Sequence, residues 1–181
     1  WDGPGGKMRY KAIPILIFLL IGSNLLSSAS AQPQIGEKAP GFTTSTLDGK
    51  RIALKDYWEQ QSKTVLVLSF FATWCHPCKE DLRYLQKVQD QYGNRGLQVL
   101  AIHTQDSSKG NVVKEFMEKL GVNVPVLNDE YGIIGKRYLV TGLPCNIVVD
   151  KEGILRAKYL GYGEDVKRHF ESQLKKLFSS P

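Results

Sequence analysis

The sequence predicts an α/β domain with a mixed central β-sheet flanked by helices, an N-terminal β-hairpin and an extra strand and helix inserted later. Three observations support this fold class. Short apolar runs alternate with segments whose apolar residues recur every three or four positions. The run 64–71 is almost entirely apolar, as in a strand that is buried on both faces of a sheet. Near the C-terminus, two strand-like runs are separated only by the turn 150–153, so they should pair antiparallel.

The individual elements follow from turn signals and from apolar periodicity. Asp48-Gly49 is a strong hairpin signal within the weakly alternating segment 42–54. Glycines 93 and 96 end one predicted helix, and Gly121 ends the next. The predicted order is hairpin 42–54, strand 64–71, helix 79–92, strand 97–102, helix 113–120, strand 124–127, short helix 131–138, strands 146–149 and 154–160, and helix 166–177.

Residues 1–31 have the pattern of a targeting segment. Three basic residues at 7, 9 and 11 precede an apolar stretch, and Ala29-Ser30-Ala31 fits a cleavage site of small residues. The stretch is shorter than the roughly 20 residues of a membrane span, so we expect a cleaved signal peptide, with an uncleaved anchor as the alternative. Residues 1–7, before the first methionine, are interpreted as an expression remnant or a misplaced start. Residues 32–40 are predicted to be a linker and 41–181 the folded domain.

Charge and cysteine content narrow the classes of function. The net charge of +6 falls to about +4 without residues 1–31, and basic residues are dispersed among acidic ones, so no nucleic-acid partner is expected. Three cysteines are too few for an exported scaffold held together by disulfides. We expect a monomer that needs no cofactor.

The most informative stretch is Trp74-Cys75-His76-Pro77-Cys78, between a predicted strand and a predicted helix. Such a Cys-x-x-Cys pair is typical of a dithiol redox site. Unpaired N–H groups at the helix N-terminus favour the Cys75 thiolate, and Cys78 lies one turn on, close enough to form a disulfide. This arrangement favours thiol–disulfide exchange. A zinc site is disfavoured because there is no second cysteine pair.

The stretch from Phe70 to Cys78 and the later Gly142-Leu143-Pro144 resemble the thioredoxin fold, and more narrowly the exported ResA/TlpA-like thioredoxins. The resemblance covers the chain from Gly36 to the C-terminal helix. It implies an exported thiol–disulfide oxidoreductase, periplasmic or otherwise extracytoplasmic, that reduces specific client proteins such as apocytochrome c. It also implies that electrons arrive from a membrane thiol donor.

The resemblance further implies roles for individual residues. Cys75 would attack the client disulfide, and the more buried Cys78 would release the client. Pro144 would be cis and face the cysteine pair, and the backbone of Leu143 would pair with extended substrate. Trp74 would shape the substrate surface.

Two residues between the cysteines are expected to tune the site. Pro77 is tolerated because it falls in the first turn of the helix, where its missing N–H costs little. A protonated His76 would stabilise the Cys75 thiolate and make the disulfide more oxidising. An exposed and screened His76 would have only a weak effect.

The chain departs from the family pattern at several positions. Ser69 stands where thioredoxins carry a buried Asp, while Asp81 and Arg83 replace a Glu and a Pro. Asp81 lies on the same helix face as Cys78 and could accept a proton from it, or it could simply be an acid favoured near a helix N-terminus. Cys145 replaces a Thr or Ser, either as a third thiol beside the pair or as a small buried residue.

Two other functions are open alternatives, and a third is disfavoured. A more oxidising oxidase or isomerase would depend on His76. A metal-binding chaperone would hold Cu(I) with Cys75, Cys78 and Cys145, since thiolates suit that ion. A peroxiredoxin is disfavoured because its Thr-x-x-Cys pattern would need Thr at position 72, where the chain has Ala72.

Overall fold

The computed structural model describes residues 1–3, 33–59 and 64–179. Contacts divide the chain into the units Trp1–Ala31 and Gln32–Pro181, and the second unit carries the α/β fold. The predicted signal peptide or anchor, residues 1–31, lies outside the described residues except for 1–3. Within the described ranges, no helix has the length and apolar character needed to cross a membrane.

The N-terminal hairpin forms where the sequence predicts it, as a small sheet of its own. Strand β1 (Thr43–Ser45) pairs antiparallel with β2 (Arg51–Ala53). Gly49 has a φ of 84° in the turn, a conformation that glycine adopts without strain. A bridge between Thr46 and Leu127 and a hydrogen bond from Thr44 Oγ1 to the Asn128 carbonyl at 2.6 Å connect this hairpin to the edge of the central sheet.

The central sheet has five strands, which are β3 (Val65–Phe71), β4 (Leu97–Thr104), β5 (Val126–Asp129), β6 (Cys145–Val149) and β7 (Leu155–Leu160). Their order in the sheet is β5-β4-β3-β6-β7. Strand β3 (Val65–Phe71) lies in the middle because all of its residues are buried and all but Ser69 are apolar. It pairs in parallel with β4 and antiparallel with β6.

Helices lie on both faces of the sheet. They are α1 (Asp56–Glu59), α2 (His76–Tyr92), α3 (Gly110–Leu120), α4 (Ile133–Arg137) and α5 (Glu164–Ser179). A short 3₁₀ turn at 93–95 follows α2, and Gly121, with a φ of 68°, ends α3 as predicted. The sequence analysis missed α1 because four residues are too few to show an apolar period.

The alternation of side chains along β3 separates two apolar cores. Val65, Val67 and Phe71 pack with residues of α2, α3 and α5. The intervening Leu66, Leu68 and Phe70 pack with residues of α1, α4 and the segments that flank the hairpin. Because successive strand residues point to opposite faces, position in the strand decides which core a side chain enters.

Several boundaries differ from the predicted ones by two or three residues; helices α2 and α3, for example, begin at His76 and Gly110 rather than at 79 and 113. Strand β5 begins at Val126 rather than at residue 124, since Pro125 has no N–H to donate to a ladder. The predicted linker 32–40 is bound to the domain over part of its length. Gly36 N–H donates to the Leu155 carbonyl at 2.8 Å, and Leu155 N–H donates to the Glu37 carbonyl at 2.9 Å.

Candidate active site

Cys75 and Cys78 form a disulfide where β3 leads into α2. Their Cα atoms are 5.4 Å apart, and Cys75 is the N-cap of α2 with extended backbone angles. Its N–H donates to the Ala72 carbonyl at 3.1 Å, so the chain turns tightly between strand and helix. Cys75 retains 4% of its accessible surface and Cys78 none. The sulfur nearer the surface is therefore the one in Cys75.

The rim of the disulfide is formed by exposed side chains. Trp74 is 65% exposed, and its indole N–H donates to the Gln105 carbonyl at 3.4 Å. Pro77 lies in the first turn of α2, where the missing N–H has no helical partner to lose. His76 is also exposed, so any charge on its ring is largely screened by solvent.

The peptide bond between Leu143 and Pro144 is cis, as the resemblance implied. Pro144 comes directly before β6, whose first residue, Cys145, pairs with Phe70 of β3. This register brings Pro144 beside the end of β3, close to where the chain turns toward Cys75. The Pro144 carbonyl accepts a hydrogen bond from Gly161 N–H at 2.8 Å. Leu143 makes no backbone–backbone hydrogen bond to the described part of the chain.

Asp81 is buried on the inner face of α2, one turn after Cys78, and its side chain has two polar neighbours. Asn146 Nδ2 donates to Oδ1 at 2.9 Å and to Oδ2 at 3.0 Å. Ser69 Oγ lies 3.5 Å from Oδ2, at the limit of a hydrogen bond. Asp81 itself is only 2% exposed. The structure therefore brings together Ser69 and Asp81, two residues that depart from the family pattern.

Burial raises the pKa of Asp81 from 3.8 to about 6. The hydrogen bonds from Asn146 and Ser69 and the positive charge of Lys167 oppose this rise, but burial prevails because removing a carboxylate from water is costly. A carboxyl group that titrates near neutral pH can both take up and release a proton under physiological conditions. This property suits a proton acceptor beside a buried thiol.

Sequence analysis missed Asn146, the principal partner of Asp81. The available signal was a polar residue in the otherwise apolar strand β6. Assigning it to Asp81 needed the register of β6 against β3, in which Asn146 lies opposite Ser69.

Cys145 lies on the opposite face of the sheet from the disulfide. It packs in the core of Leu68 and Phe70, whereas Cys75 and Cys78 pack in the other core. Cys145 is fully buried, and burial raises the pKa of its thiol to about 11. Among the residues that the structure describes, no three His, Cys, Asp or Glu side chains form a group that could hold a metal ion. The geometry gives the Cu(I) alternative no support.

A second buried carboxylate, Asp106, anchors the loop before the disulfide. Its Oδ2 accepts hydrogen bonds from Thr73 N–H at 2.7 Å and from Thr73 Oγ1 at 2.5 Å, and His103 Nε2 lies 3.0 Å from the same oxygen. Burial opposes ionisation, but the hydrogen bonds from Thr73 and Ser108 hold the pKa of Asp106 well below its usual range. Sequence analysis missed this contact, which spans 33 positions without any local motif.

Comparisons with known proteins agree with this geometry. A model of the AhpC/TSA family matches residues 35–158. Thiol-disulfide oxidoreductase ResA of Bacillus cereus (strain ATCC 10987 / NRS 248) is 33% identical over 175 residues, covering 94% of this chain and 96% of the relative. Thioredoxin-like protein YneN of Bacillus subtilis (strain 168) is 31% identical over 154 residues, covering 81% and 87%.

Solved structures show the same fold. A protein from Chlorobium tepidum, described as thiol:disulfide interchange protein DsbE, has a TM-score of 0.72 at 27% identity and covers 81% of this chain and 99% of its own. These matches confirm the predicted thioredoxin fold and the predicted class of enzyme. The chain therefore belongs to the AhpC/TSA family and, within it, to the ResA-like thiol–disulfide oxidoreductases.

Proposed function

We propose that this protein is an exported reductase of protein disulfides, with Cys75 as nucleophile, Cys78 as resolving thiol and Asp81 as proton acceptor. The observation that carries the proposal is the disulfide at the start of α2, with a buried carboxyl group one turn after Cys78. The relatives named thiol-disulfide oxidoreductase support the redox chemistry.

The proposed reaction is a balanced two-step exchange. The Cys75 thiolate attacks one sulfur of a client disulfide, the client S–S bond breaks, and the other client sulfur leaves as a thiolate that takes up a proton. The Cys78 thiol then gives its proton to Asp81 and attacks the Cys75 sulfur of the mixed disulfide. The bond between Cys75 and the client breaks, and the second client thiolate leaves. Two electrons pass to the client, and the Cys75–Cys78 disulfide remains.

The proposed docking site for the client is the cis-proline loop. The backbone of Leu143, which makes no backbone–backbone hydrogen bond within the described residues, is available to an extended segment that could add to it as an extra strand does to a sheet edge. The exposed Trp74 on the rim would cover the apolar part of that segment.

The proposed clients are exported proteins with a disulfide between nearby cysteines, such as apocytochrome c. The pattern of residues 1–31 supports export. In an oxidising compartment a reducing dithiol must be reduced again after each turnover, so we propose a membrane thiol donor as the second partner.

Two measurements test the direction of exchange and the client class. Equilibration with glutathione buffers should give a reduction potential near that of thioredoxin, about −270 mV, whereas about −120 mV would identify an oxidase.

To test the client class, reduced protein is mixed with an oxidised peptide that carries Cys-x-x-Cys-His, the motif of c-type haem attachment. We expect the peptide to be reduced by the wild type and not by the matched double variant Cys75→Ser/Cys78→Ser. An unreduced peptide would refute the proposed client class.

A further inference from the structure

The side chain of Asn146 is held against Asp81 at the centre of the sheet. Asn146 is 3% exposed and lies opposite Ser69 in the pairing of β6 with β3. Its amide nitrogen is within 3.0 Å of both carboxylate oxygens. Both carboxylate oxygens bind the same NH2 group, so a change in the charge of the carboxylate acts directly on the Asn146 amide. This arrangement suits the ionised form of Asp81, which only accepts hydrogen bonds.

The other end of the same amide has no partner. Asn146 Oδ1 is buried and has no hydrogen bond in the described part of the chain. Buried acceptors without a partner are rare because they lose their bond to water without replacement. Protonation of Asp81 would turn an acceptor into an O–H donor, and that donor needs an acceptor within reach. A half-turn of the Asn146 amide about its Cβ–Cγ bond would present Oδ1 in place of Nδ2.

Few other groups near Asp81 can respond to its proton. Lys167 of α5 acts on it through its positive charge, and Tyr84 lies further along α2. Ser69 of β3 contributes a hydroxyl, and Cys145 of β6 points into the opposite core. Of these groups the amide of Asn146 lies closest to the carboxylate, at 2.9 and 3.0 Å against 3.5 Å for the Ser69 hydroxyl, and it carries a buried acceptor without a partner in the described part of the chain.

We propose that Asn146 is a positioning residue for proton exchange between Cys78 and Asp81, and that its amide rotates to match the protonation state of Asp81. The inference rests on the proposed function, in which Asp81 accepts the Cys78 proton. Before resolution, Nδ2 donates to the carboxylate. As Cys78 loses its proton and attacks the mixed disulfide, Asp81 gains that proton, and Oδ1 then accepts the new O–H. Loss of the proton to solvent restores the first arrangement.

The test removes the amide and follows the resolution step. Asn146→Leu keeps the branched shape and the number of side-chain heavy atoms but loses both hydrogen-bonding ends, so the pKa of Asp81 should rise by at least about one unit. At pH 6, a rise of one unit lowers the ionised fraction, and with it the rate of client release from a preformed mixed disulfide, about fivefold. Asn146→Thr retains one hydroxyl and should shift the pH profile less than Asn146→Leu. It also replaces the leucine variant if that one does not fold.

Amide signals of Asn146 in nuclear magnetic resonance spectra give a second readout, which shows whether the amide responds to the Asp81 proton. In the reduced wild type these signals should shift with the same pH midpoint as the Asp81 carboxyl, and in Asp81→Asn they should not. The inference would be overturned if both Asn146 variants kept the wild-type pH profile of client release, or if the amide signals did not change as Asp81 titrates. The proposed proton acceptor fails separately if Asp81→Asn keeps the wild-type profile of client release.

Discussion

Ser69 and Asp81 each depart from the family pattern, and the structure places their side chains 3.5 Å apart, with Asp81 one helical turn after Cys78. Ser69 stands at the position of a buried acid and contributes a hydroxyl instead, while Asp81 supplies the carboxyl from the helix. Both residues stand out in the sequence as departures from the family pattern, but nothing in the sequence predicts that they touch. Their connection through Asn146 could not be predicted, because the register between β3 and β6 depends on packing far from either residue in the chain.

The raised pKa of Asp81 has a consequence for stability. Folding favours the protonated carboxyl, so the contribution of Asp81 to stability is greatest below its unfolded value of 3.8 and declines as the pH rises to about 6. Asp81→Asn removes this decline. The free energy of unfolding of Asp81→Asn minus that of the wild type should therefore increase from pH 4 to pH 7, by up to about 3 kcal/mol.

Urea unfolding of the oxidised protein at pH 4 and pH 7 measures this change. The exposed neighbour Glu80 gives a matched control, since Glu80→Gln should shift stability by less than about 0.5 kcal/mol at either pH. Equal pH dependence in the wild type and Asp81→Asn would show that the carboxyl is not perturbed by burial.

At the scale of single elements, strand β6 places side chains on both faces of the sheet. Its first residue, Cys145, enters one core, and the next residue, Asn146, enters the other beside Asp81. Sequence analysis considered Cys145 as a neighbour of the disulfide because it follows Pro144 directly. The alternation of strand side chains shows why closeness in sequence was misleading here.

The placement of Cys145 predicts that its thiol takes no part in exchange. Cys145→Ala should leave the rate of peptide reduction within about twofold of wild type, while the small cavity lowers the free energy of unfolding by about 1 kcal/mol. A peptide-reduction assay and urea unfolding check the two effects. Cu(I) binding at one ion per reduced chain that disappears in Cys145→Ala would contradict the placement and revive the metal-binding alternative.

The loop between β4 and α3 holds the turn that carries the cysteines. Asp106 accepts hydrogen bonds from the N–H and from the hydroxyl of Thr73, so Asp106→Ala should destabilise the protein by about 2–4 kcal/mol at pH 7. Because folding lowers the pKa of Asp106, this stabilisation is complete above the pKa of the unfolded chain and is lost as the pH falls through the pKa of the folded protein. The free energies of unfolding of the variant and the wild type should therefore converge in acid. Thr73→Val, which removes the hydroxyl contacts to Asp106 and Ser108 but keeps the N–H bond, should cost about 1 kcal/mol.

Thermal unfolding at pH 7 and pH 2 measures both Asp106 effects. A difference between wild type and Asp106→Ala that stays constant across this range would contradict the role given to the ionised carboxylate.

At the scale of the whole molecule, the fold brings three distant segments to one end of the central sheet. The disulfide follows β3, the cis-proline precedes β6, and the Asp106 loop follows β4. The sequence predicts the first two from motifs and the order of the elements from periodicity. The contacts of Asp106 and Asn146 depend on tertiary packing and leave no local pattern, which is why sequence analysis missed them.

The most direct test follows Cys75 as it attacks a client. Reduced Cys78→Ser is mixed with the oxidised Cys-x-x-Cys-His peptide, and the products are identified by mass spectrometry after non-reducing digestion. We expect a stable mixed disulfide between the peptide and Cys75, with little adduct in the matched variant Cys75→Ser, because Cys78 is fully buried. Equal adduct in Cys75→Ser, or peptide bound to Cys145 instead, would contradict the assignment of Cys75 as the nucleophile.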